Sequence, residues 1–143
     1  MKPDLPSAQD ALIDWYASLS PDSLQALPNY YHPDARFTDP FNDVRGHAAI
    51  MRVFRHMFET TRAPRFVVLE RVSQDGRLFV SWDFLFGLGR REYRVHGSSL
   101  LHFDLAGQVV SHRDYWDPAG ELWQRMPLLG GPVAWLRRRF RAG

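Results

Sequence analysis

Six apolar residues, Ala49, Ile50, Val53, Phe54, Met57 and Phe58, recur at helical spacing between Gly46 and Pro64, and they constrain the fold more than any other feature. Such a stripe must be buried against another element. The following sequence supplies one. From Arg65 the pattern becomes β-branched and aromatic, with RFVVLERVSQ, an Asp75-Gly76 turn and RLFVSWDFLFGL predicting a hairpin. In its second arm Val80, Trp82, Phe84 and Phe86 share one face, while Ser81, Asp83 and Leu85 share the other. A turn over Gly87 to Arg91 leads into EYRVHGSSLLHFD, and Ala106-Gly107 turns that strand into a last one, QVVSHRDYWD. Upstream, Ser7 is placed to cap a helix carrying Ala11, Leu12, Trp15, Tyr16 and Leu19. A second short helix over Asp22 to Leu27 is expected to begin at Pro21 and stop at Pro28. Helices followed by an antiparallel meander predict an α+β domain, with helices packed on one face of a curved sheet.

The length of 143 residues and an apolar content of 45% suit one domain with its own core. The formal charge is +2, but Arg137, Arg138, Arg139 and Arg141 supply four positive charges, which leaves the rest of the chain at −2. The body therefore lacks the basic stripe that a nucleic-acid surface needs. There is no cysteine, hence no disulfide, thiol nucleophile or cysteine-bound zinc, and a reducing, cytoplasmic setting is expected. Residues 119–143 form a tail, with a short helix, a break at Pro127 and Gly130-Gly131-Pro132, and an apolar segment ending in arginines. Its layout admits contact with an anionic membrane surface. A lid or interface element is the preferred reading, and membrane contact is not expected.

Two places carry candidate chemistry. Asp39 follows Phe37 by two residues and shares its core-facing row. Asp39-Pro40 either closes the strand through turn hydrogen bonds or presents a carboxylate to a cavity. On the last strand His112, Asp114 and Trp116 alternate on one face. They are either a satisfied hydrogen-bonded pair or, if that face looks inward with Asp39, the parts of a proton-transfer site. Trp116 in phase with both polar residues favours a buried face. The six histidines, at 32, 47, 56, 96, 102 and 112, form no HExxH pattern, so no metal is expected. No phosphate-cradling glycine loop is present, and no cofactor is implied.

The run from Tyr31 to Pro40, YHPDARFTDP, followed by Arg45-Gly46 and by Ala49-Ile50 opening a helix, resembles the nuclear transport factor 2-like superfamily, in particular its SnoaL-like branch. HRDYWDPAGELW resembles the ending of SnoaL-like proteins, and the likeness covers nearly the whole chain. It implies a cone of bent antiparallel sheet around a long helix, an apolar cavity at the wide end, and a homodimer. Members include ketosteroid isomerases, polyketide cyclases, dehydratases and epoxide hydrolases, together with non-catalytic proteins. By this resemblance Asp39 takes the place of the isomerase's general base, and Trp15 and Ser99 take the places of its oxyanion-holding tyrosine and aspartic acid. Tyr16, one position off, is expected to point elsewhere. Asp114 is similar to the acid-base aspartate of the cyclases, with His112 as its neighbour. The expected pocket is lined by Trp15, Tyr31, Phe54, Trp82, Phe84, Phe86, Ser99 and Trp116. Two functions follow: a cofactor-independent isomerase, cyclase or lyase acting on a small, largely apolar molecule, or a non-catalytic ligand-binding or dimeric scaffold domain.

Overall fold

A curved, unclosed six-stranded sheet in the order β2-β1-β6-β5-β4-β3 holds two helices against its concave face. The structure is a computed structural model describing residues 4–127 and 129–141, with Arg137 by its backbone alone. Its elements are α1 (Leu5–Ala17), a 3₁₀ turn (Ser23–Ala26), α2 (Leu27–Tyr30), β1 (Tyr31–Thr38), β2 (Asp43–Arg45), α3 (His47–Thr60), β3 (Arg62–Gln74), β4 (Arg77–Leu88), β5 (Arg91–Phe103), β6 (Val109–Tyr115), α4 (Pro118–Glu121), a second 3₁₀ turn (Trp123–Arg125) and α5 (Gly130–Phe140). The α+β class and the bent-sheet architecture stand as read from sequence.

Several local details differ from expectation. Asp4, not Ser7, caps α1: its carboxylate accepts the Ser7 N–H at 3.0 Å, so the helix starts earlier. Pro28 does not stop a helix but sits in the first turn of α2, where its missing N–H costs nothing. β2 has only three residues and too short a pattern to be read, yet it pairs antiparallel with β1, and Arg36 bonds Asp43 across the pair. β3 begins at Arg62 and so contains Pro64, which the outermost strand tolerates because one side of its ladder is unpaired. The predicted hairpin turn is present, with Asp75 at φ 50° and Gly76 at φ 77°, the left-handed pair that a tight two-residue hairpin requires.

One pairing departs from the meander and positions the site. β1 lies parallel to β6, with Phe37 opposite His112 and Thr38 opposite Arg113. The two strands run the same way, so Asp39, just past the end of β1, comes level with Asp114 of β6. Beneath them the core packs Leu12, Trp15 and Tyr16 of α1 and Ile50 and Phe54 of α3 against Phe37, Phe66, Val80, Trp82, Phe86 and Val95 of the sheet. β6 pairs with β5 only as far as Tyr115 opposite Ser98, which leaves the preceding stretch of β5 with an open edge. The α4 segment covers it. Glu121 accepts the His96 N–H at 3.1 Å, and Arg125 reaches the Arg94 carbonyl at 3.4 Å.

Candidate functional site

A cavity of about 300 Å³ opens between α3, the concave sheet face and the α4 segment. Its walls are Phe37, Val53, Phe54, Met57, Phe66, Trp82, Phe84, Phe86, Val95, Trp116 and Leu122, with Phe41 beside them. The polar groups among them are few: Tyr16, Asp39, Asn42 and Asp114, with His56, Thr60 and Thr61 on the α3 side. An apolar enclosure with a handful of convergent polar atoms is the usual form of a small-molecule site.

The face assigned to His112, Asp114 and Trp116 is turned inward, but the three residues are not equally placed. Asp114 and Trp116 line the cavity, whereas His112 is 1% exposed and stands behind Asp114. His112 Nε2 lies 2.7 Å from Asp114 Oδ1, and His112 Nδ1 lies 2.7 Å from the Tyr31 hydroxyl. Ser99 donates to the same Asp114 oxygen at 2.6 Å and accepts the Trp82 indole N–H at 2.9 Å. The cross-strand register explains the meeting, since Ser99 pairs with Asp114 and Leu101 with His112. A neutral imidazole with its proton on Nε2 satisfies the whole chain: it donates to Asp114 and accepts from Tyr31. Asp114 Oδ1 is thus fixed by two donors, while Oδ2 meets no protein donor among the described residues.

Asp39 does both things the sequence allowed. Its Oδ1 accepts the N–H groups of Phe41 at 2.8 Å and Asn42 at 2.6 Å, and the Asn42 side-chain amide at 3.0 Å, closing the strand in a tight turn. Its carboxylate also lines the cavity with Asp114, and among the described residues Oδ2 meets only the Asn42 amide, at 3.1 Å.

Three expected pocket residues lie elsewhere. Trp15 does not line the cavity: its indole N–H donates to the Ser23 carbonyl at 2.9 Å and its ring stacks on Tyr30. The helix advances about 100° per residue, and that single step turns Tyr16, not Trp15, toward the cavity. Tyr31 and Ser99 are buried behind His112 and Asp114 as holding groups rather than walls. Phe54, Trp82, Phe84, Phe86 and Trp116 do line the cavity. Sequence reasoning passed over Tyr16 as the polar group from α1, and also missed Asn42. The signal for Asn42 was its place three residues after Asp39, the spacing of a side-chain-capped turn.

Tyr16 is the most informative of these. Its ring is packed by Phe54, Phe66 and His112, and its hydroxyl has no protein partner among the described residues. Burial pushes the phenol well above its ordinary value of 10.0, and the nearby charge of Asp114 adds to the effect, with smaller additions from Tyr31 and Asp39. Tyr31 is raised in the same way by burial and then by Asp114. Both phenols stay protonated in the folded protein at a pH where the unfolded chain ionises them. Their contribution to stability is complete below about pH 10 and declines as the pH rises above it. The double variant Tyr16→Phe/Tyr31→Phe is accordingly expected to show a flatter stability profile above pH 10 in urea titrations; an unchanged profile would contradict this.

Gly97 fits the site together. A Cβ there would stand 2.6 Å from Trp82 Cη2 and 3.0 Å from Trp116 Cβ. Gly97→Ala should push Trp82 off Ser99 and cost roughly 1–3 kcal/mol, as overpacked cores do. The urea midpoint reads the loss, and a variant as stable as wild type would show that the wall is free to move.

The SnoaL-like domain family matches residues 12–112, and the chain belongs to that family, within the nuclear transport factor 2-like superfamily. It is 28% identical over 120 residues to a steroid Δ-isomerase of Nocardioides simplex, covering 82% of this chain and 94% of that protein. An epoxide hydrolase of M. tuberculosis, described as LEH-like, superposes with a TM-score of 0.71 at 16% identity, covering 95% of this chain and 99% of its own. An NTF2-like protein of unknown function from Burkholderia pseudomallei superposes with a TM-score of 0.70 at 18% identity, covering 79% and 92%. At these identities the two structures speak for the fold alone.

Proposed function

We propose that the cavity binds a small, largely apolar molecule carrying a carbonyl group and moves a proton on it without a cofactor, as an isomerase or cyclase does. One observation supports this reading most: a tyrosine hydroxyl with no protein partner among the described residues shares one apolar cavity with two carboxylates. The carbonyl oxygen accepts the Tyr16 O–H. A carboxylate, Asp39 or Asp114, takes the proton from the adjacent carbon: the C–H bond breaks, the O–H bond of the acid forms, and the electron pair moves to the carbonyl oxygen as an enolate. Tyr16 holds that negative charge by its hydrogen bond, in surroundings where burial keeps it a donor. Return of the proton to a different carbon completes an isomerisation. His112, held by Tyr31, and Ser99, held by Trp82, keep Asp114 Oδ1 occupied so that its other oxygen serves the ligand.

The similarity to a steroid Δ-isomerase makes β,γ-unsaturated ketones, steroidal ones among them, the first compounds to try. The test follows the conjugated enone product by its ultraviolet absorbance, with tryptophan fluorescence reporting occupancy beside Trp82 and Trp116. Saturable product formation is expected. The complete hydrogen bonding of Asp39 Oδ1 within its own turn favours a second reading, a binding domain in which that residue is structural. Fluorescence change without product would select it.

A further inference from the structure

The last helix carries a surface that the cavity does not use. Gly130, Val133 and Ala134 are half-buried, where α5 packs on α4 and the Trp123–Arg125 turn. Pro132, Trp135, Leu136 and Arg139 stand at i, i+3, i+4 and i+7, which places them on one opposite face. That face is open: Trp135 is 57% exposed and Leu136 51%, and Phe140 beside them is 84% exposed. Arg138, Arg139 and Arg141 are exposed too, form no ion pair among the described residues, and belong to a stretch without any acidic residue after Glu121.

We infer that α5 docks the protein on an anionic lipid bilayer, lying in the plane of the headgroups with Trp135, Leu136 and Phe140 turned into the acyl boundary and the arginines on the phosphates. The chemistry selects this occupant. A nucleic acid would neutralise the arginines but leave Leu136 and Phe140 in water. A second copy of the same helix would cover the apolar row but bring like charges together. A bilayer rich in anionic lipid satisfies both halves of the face, since an indole suits the interface and the arginine stem follows the apolar surface while its head stays polar. At 11 residues the helix is about 16 Å long, half of what a membrane-spanning helix needs, so it lies on the surface and does not cross. The charge distribution orients the molecule: the four arginines at 137, 138, 139 and 141 are positive, and the remaining chain is −2 overall. The sequence alone favoured a lid or interface role for this tail; the exposure of the row is what the structure adds.

The inference does not depend on the chemistry of the cavity, and its test separates the two. Full-length protein is sedimented with vesicles of phosphatidylcholine alone and of phosphatidylcholine containing about one-third phosphatidylglycerol. Binding to the anionic vesicles is expected to be at least about tenfold tighter and to weaken as salt is raised. The exposed-site variants Trp135→Ala/Leu136→Ala and Arg138→Gln/Arg139→Gln should each lose about tenfold or more in affinity. Unchanged urea midpoints would show that both still fold, and Asp114→Asn should pellet as wild type does. Equal binding to the two vesicle types, or full binding by both double variants, overturns the inference. So does retention of RNA, or self-association lost in the double variants, in protein that no vesicle retains.

Discussion

Asp114→Asn or Asp39→Asn, whichever removes the base, is expected to lower turnover of a β,γ-unsaturated ketone by about 10²–10⁴-fold, the usual worth of a positioned proton-transfer group. The dissociation constant of an unreactive ketone should hardly move. Asparagine at 114 keeps an oxygen for the His112 and Ser99 donors and so keeps its place, but its amide does not take up a proton at neutral pH. Asparagine at 39 likewise keeps an oxygen for the Phe41 and Asn42 N–H groups, so the turn survives. Steady-state rates beside a fluorescence titration separate the two effects. If only one variant loses turnover, that residue is the base and the other carboxylate shapes the field. If neither does, the proposed chemistry is wrong.

The second large effect concerns stability. His112→Leu should destabilise the fold by about 3 kcal/mol or more, because it strips a buried partner from Asp114 and leaves the enclosed Tyr31 hydroxyl without its acceptor. Tyr31→Phe removes one hydrogen bond and no charge, so about 1–2 kcal/mol is expected there. Urea unfolding of the pair measures both. A His112→Leu protein as stable as wild type would mean that the chain from Trp82 to Tyr31 adds nothing to the core.

Much of the site was legible because a strand's side chains alternate. That period alone turned Trp82, Phe84 and Phe86, and separately His112, Asp114 and Trp116, to one side. The parts that were not legible have physical reasons. Trp15 and Tyr16 differ by one helical step, and a helix start misplaced from Asp4 to Ser7 says nothing about that rotation. The parallel pairing of β1 with β6 joins segments more than seventy residues apart, and no local pattern encodes it. Yet it is this pairing that sets Asp39 beside Asp114. Asp83 shows the limit of a face assignment: it lies on the outer face yet is buried, held by His96 at 2.9 Å and Arg94 at 2.5 Å. Their hydrogen bonds keep its carboxyl below the ordinary carboxylate range. The sequence gives Asp83 and His96 no visible relation, since they meet only through the β4–β5 register.

If one cavity holds both the carboxylates and the reacting carbon, a bound ketone exchanges its α-protons with solvent. A ketone that binds the cavity, shown by quenching of Trp82 and Trp116, is incubated with the protein in D₂O, and its α-protons are followed by NMR. Loss of the α-proton signal well above the buffer rate, abolished in the Asp39→Asn/Asp114→Asn double variant, is the predicted result. A ketone that saturates the cavity and exchanges its α-protons only at the buffer rate would rule out proton transfer there and leave a binding domain in its place.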